Sequence, residues 1–169
     1  MPHHNGSESG DGLALNAAAL GFVAGLRSQV PISALAKAAK KGDFADRADG
    51  PLQYLHSPWT GPVTGAMAVG EIVADKLPFV PSRIKPLPLA GRGFIGGVAG
   101  AAIFKNAHRS IPMGLIIGAA AATAGSFAGY HARSFLTKRT GLPGIVFAVV
   151  EDALAIGMSR LAVKRYLGN

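Results

Sequence analysis

The chain is 169 residues long, enough for one domain, and its 49% hydrophobic against 15% charged residues is an apolar bias that ordinary soluble domains do not show. The formal charge of +8 comes from 17 Lys and Arg spread between apolar segments rather than gathered on one stripe, and no aromatic-basic motif accompanies them, which argues against a nucleic-acid partner. The absence of Cys excludes disulfides, thiol chemistry and Cys-based zinc sites, while 23 Gly and only 7% aromatics point to helices packed closely on small residues, as in membrane bundles.

Residues 1–12 are polar and Gly/Ser-rich and predict a disordered tail, followed by a single transmembrane helical domain over residues 13–169. A first membrane segment runs from residue 13 to about 39, broken near Pro31. It does not read as a cleaved secretory signal, because no Lys or Arg precedes it and Arg27 interrupts it before the small-x-small Ala34-Leu35-Ala36. Residues 40–57 mix charges of both signs and read as a surface loop. A second segment, 58–79, carries Glu71, Asp75 and Lys76. The Pro-rich basic run 77–92 predicts an extended connection. Residues 93–104 are apolar but short, as in a re-entrant helix, since a full span needs roughly 20 residues. Residues 111–130 carry no charge and form the clearest span; 142–158 are the last segment, interrupted by Glu151 and Asp152. The expected fold is an all-α integral membrane bundle of four to five segments, some broken or re-entrant.

Small residues recur four apart at Gly21/Gly25, Gly61/Gly65, Gly93/Gly97, Gly96/Gly100, Gly114/Gly118 and Gly125/Gly129, placing glycines on single helix faces where backbones can approach. Such faces could also serve a homodimer. The stretches GFVAGLRS (21–28) and GSFAGYHARS (125–134), with AVGE (68–71) and AVVE (148–151), suggest a weak repeat. In a five-span chain its halves would be inverted.

The ionisable residues inside apolar segments are the candidate site. Arg27 is costly in a membrane unless it faces the bundle with a partner or ends a short helix and snorkels to the headgroups. Glu71 and Asp75 share a helix face at i, i+4, whereas Glu151 and Asp152 are about 100° apart around a helix and are expected to point differently. With Arg27 as the deep cation, full ionisation leaves excess negative charge, which calls for a proton or a bound cation at one acid. Arg27, Glu71, Asp75, Glu151 and Asp152 therefore form the expected binding or transport site for a small ion or solute. No catalytic motif emerges: residues 91–96 match a dinucleotide fingerprint only as a string, His56, His108 and His131 lack metal-ligand spacing, and no nucleophile elbow exists. No enzyme activity, cofactor or metal is expected.

The stretches AGLRSQVPISALA, GEIVADKLPFVPSRIKPLPLAGRGFIGGVAGA and GLPGIVFAVVEDALAIG resemble the small bacterial membrane proteins of domain of unknown function 4126, over most of residues 15–161. The resemblance implies a multi-pass protein of the bacterial cytoplasmic membrane, with the lipid bilayer as partner, and brings no activity with it. A transporter or channel-like role is the first expectation; a scaffold or assembly role, with the same charges only pairing helices, is the alternative.

Overall fold

The apolar runs fold as helices. A computed structural model describes residues 10–40, 57–74 and 84–167, which form α1 (Gly10–Leu26), α2 (Gln29–Lys40), α3 (Thr60–Ala74), α4 (Pro86–Asn106), α5 (Ile111–Thr140) and α6 (Gly144–Leu167). No described residue lies in a strand, and the fold is all-α. Residues 10–12, expected to belong to a polar tail, are helical. Helix α1 already starts at Gly10, with Asp11 in its first turn, where a carboxylate meets the positive end of the helix dipole.

The first expected segment divides into α1 and α2 at Arg27 and Ser28, just ahead of Pro31. Pro31 has no N–H, and its ring would collide with the carbonyl four residues earlier, which belongs to Arg27. The helix therefore stops before Arg27 and restarts at Gln29, with Pro31 tolerated in the first turn of α2.

Prolines have the opposite effect at α4. Pro86 and Pro88 occupy its first turn, where a missing N–H leaves no bond unmade. Residues 86–92, expected as extended connection, are helical, and the expected short re-entrant piece becomes a helix of 21 residues. Helix α4 and the 30-residue α5 are each long and apolar enough to cross a membrane. The C-terminal end of α5 is set by Gly141, whose φ of 68° lies in the left-handed region and whose N–H donates to the Thr137 carbonyl at 3.1 Å.

Glycines fix how the helices cross. A side chain at Gly100 would be driven into the Gly114 carbonyl, one at Gly118 into the Gly96 carbonyl, and one at Gly21 into Gly118. Gly25 and Gly125 lie as close to Ala122 and Phe22. These glycine faces are occupied within the chain. The order of contacts gives direction: Gly21 meets Gly118 and Gly25 meets Ala122, so α1 and α5 run parallel, whereas Gly96 meets Ala122 and Gly100 meets Gly114, so α4 runs antiparallel to both. The two similar stretches on α1 and α5 thus run the same way, not inverted. Helices α2 and α3 are antiparallel, with Lys40 beside Gly61 and Gln29 beside Glu71. Helix α6 runs against α1: Arg27 meets Asp152, and Val23 and Leu26 share an apolar cluster with Ala155.

Polarity is turned inside out on α5 and α6. The buried stripe of α5 is Gly114, Gly118, Ala122, Gly125, Ser126 and Gly129, and that of α6 is Ala148, Asp152, Ala155, Ser159 and Ala162. The large apolar side chains point outward, with Ile116 61% exposed and Phe135 58%. A soluble bundle buries its large apolar residues instead.

Candidate functional site

The break between α1 and α2 exposes two sets of unpaired backbone groups inside the bundle: the last carbonyls of α1 and the first N–H groups of α2. Both sets are met by side chains from distant helices. Arg92 of α4, buried in spite of its charge, donates from Nη1 to the Gly25 carbonyl at 2.8 Å and the Leu26 carbonyl at 2.9 Å. Ser126 of α5 adds its hydroxyl to the Gly25 carbonyl at 3.2 Å. At the other side of the break, Glu71 of α3 accepts from the Ser28 N–H at 3.1 Å and hydroxyl at 2.8 Å through Oε1, and from the Gln29 N–H at 3.3 Å through Oε2. The two caps are themselves joined, Arg92 Nη2 donating to Glu71 Oε1 at 2.9 Å. A cation thus sits at a helix C-terminus and an anion at a helix N-terminus, as the dipoles favour.

Arg27 occupies the break itself and is fully buried at 0% exposure. It ends a helix, as one expectation had it, but turns into the bundle rather than toward headgroups. Its Nε and Nη2 meet Asp152 Oδ1, its Nη1 lies 4.0 Å from Glu151 Oε1, and Nη1 also donates to the Leu26 carbonyl at 3.3 Å. Glu151 accepts in addition from Arg133 Nη2 of α5 at 2.8 Å. Glu151 and Asp152 therefore both reach Arg27 despite their angular separation, because the guanidinium is broad enough to offer different nitrogens to each.

Of the expected site residues, Arg27, Glu151 and Asp152 meet directly, and Glu71 joins them through Arg92 and the shared Leu26 carbonyl. Asp75 lies outside the described residues. Two members were missed. Arg92 and Arg133, together with Arg27, pair with the described carboxylates Glu71, Glu151 and Asp152. The signal for Arg92 was available: it is a lone arginine beside a Gly-rich apolar run, as Arg27 is, once Pro86 is read as a helix start.

A cleft of about 290 Å³ opens against the break, lined by Ser28, Gln29 and Arg92 on a polar side and by Pro88, Gly91 and Ile95 on the α4 side. No group of three or more His, Cys, Asp or Glu suited to a metal ion occurs among the described residues.

The chain belongs to the family described as Domain of unknown function (DUF4126), whose model matches residues 14–165. Neither a curated protein nor a solved structure gives a match.

Proposed function

We propose that this DUF4126 protein is an integral protein of the bacterial cytoplasmic membrane that carries or conducts a small ion or solute, with linkage to a proton or cation, at the polar break between α1 and α2. The observation that carries the reading is a buried, charge-balanced helix break with a cleft against it, wrapped by helices that turn Ile, Val, Leu and Phe outward. Lipid accommodates such a shell without the cost that water imposes. Intramembrane charges paired across helices, and helix termini turned toward a polar site, are features of substrate and ion pathways.

A second reading, a membrane scaffold or assembly factor, draws on the charge balance itself, since Arg27, Arg92 and Arg133 serve to lock helices whether or not anything passes. Purified protein reconstituted into liposomes with internal pH and ion reporters separates the two. Gradient-driven flux that Glu71→Gln abolishes supports transport. Absence of flux under every imposed gradient supports the scaffold.

A further inference from the structure

We propose that the cleft at the α1–α2 break binds a short-chain aliphatic monocarboxylate, whose carboxylate exchanges with that of Glu71 against Arg92. The proposal rests on the transport reading for its purpose but on the cleft for its chemistry. At about 290 Å³ the cleft is at the small end of ligand sites, which run to roughly 300–1,000 Å³, and suits a few heavy atoms rather than a lipid or a nucleotide. Its lining is two-sided: Ser28, Gln29 and the buried Arg92 offer donors, and Pro88 and Ile95 offer apolar surface to an alkyl chain.

The donors are spaced for a carboxylate, because one already spans them. Glu71 Oε1 receives Arg92 at 2.9 Å and the Ser28 hydroxyl at 2.8 Å, while Oε2 receives the Gln29 N–H at 3.3 Å. A carboxylate entering from the cleft inherits the Arg92 and Ser28 donors when Glu71 swings aside. The displaced Glu71 then needs a countercharge, so a monovalent cation enters with the ligand. Glu71 acts as an internal competitor, and the affinity for outside carboxylate is reduced by the fraction of time it is bound.

The test is equilibrium binding of radiolabelled sodium butyrate to the full chain in nanodiscs. Expected is saturable binding, competed by unlabelled butyrate but not by butyramide or chloride. Glu71→Gln removes the charged competitor and should tighten binding about tenfold. Gly91→Phe fills the cleft from a position where an added Cβ meets nothing within 4 Å, so it should abolish binding while the thermal midpoint stays at the wild-type value. The proposal is overturned if neither wild type nor Glu71→Gln binds butyrate saturably, if butyramide competes as well as butyrate, or if Gly91→Phe binds normally. Should Glu71→Gln not fold, wild type and Gly91→Phe decide alone. Flux without butyrate binding removes this inference and leaves transport standing; butyrate binding without any flux does the reverse.

Discussion

Arg92 and Glu71, 21 residues apart in sequence, meet at 2.9 Å and between them close both ends of a broken helix. Arg92→Leu would take one donor each from the Gly25 and Leu26 carbonyls, which keep Ser126 and Arg27, and would remove the cation paired with Glu71, and we expect a loss of about 3 kcal/mol. Glu71→Gln retains one oxygen acceptor for Ser28 and should cost less than half as much. Thermal unfolding in detergent measures both; because each variant deletes the ion pair, equal losses would show that the Arg92 contacts to the Gly25 and Leu26 carbonyls contribute nothing beyond it.

Arg27 and Asp152 form the most deeply buried ion pair described. Removing one partner leaves a charge in low dielectric, so Arg27→Met and Asp152→Leu singly should each cost about 3–5 kcal/mol. The double variant Arg27→Met/Asp152→Leu removes both charges, and Glu151 keeps Arg133. It should be more stable than either single variant; a double variant as unstable as the sum of the two would contradict the pairing.

How much of this could be read beforehand depends on whether the cause was local. Pro31 acts on the carbonyl four residues back, so the α1–α2 break was legible to within a few positions, and Arg27 within it. The glycine pairs at 21/25, 96/100 and 114/118 announced close packing through spacing alone. Pro86 and Pro88 misled, because proline breaks a helix interior but starts a helix well, and composition does not say which end is present. Arg133 stayed hidden because its partner, Glu151, is 18 residues away on a helix that doubles back, and that pairing belongs to the tertiary fold.

Gly118 is wedged between α1 and α4, with the Gly96 carbonyl and the Gly21 backbone against it. Gly118→Val must push α4 off α5, and we expect at least about 3 kcal/mol of destabilisation or loss of folded protein. Gly157 on α6 has nothing within 4 Å of an added Cβ, so Gly157→Ala should be neutral or stabilise by up to about 1 kcal/mol. Comparable yields and midpoints for the two variants would contradict the crossing.

The directions of α1 and α6 put the start of α1 and the end of α6 at the same end of the bundle. A plain five-span chain would put them on opposite sides, with Lys and Arg divided seven against nine between its two faces and little to choose an orientation. We expect epitope tags at the two termini to be protected or cleaved together in sealed vesicles. Tags on opposite sides would refute the antiparallel pairing of α1 and α6.

Whether the polar break is reached by water inside a lipid-facing shell can be measured directly, since the sequence has no Cys, with single-Cys variants in sealed proteoliposomes. Gln29→Cys places a thiol on the cleft, and Ile116→Cys places one on the outer face of α5. With a membrane-impermeant maleimide, we expect labelling of Gln29→Cys from one side of the bilayer and none of Ile116→Cys until detergent is added. Rapid labelling of Ile116→Cys in intact vesicles, or a Gln29→Cys that stays unreactive from either side, would contradict this expectation.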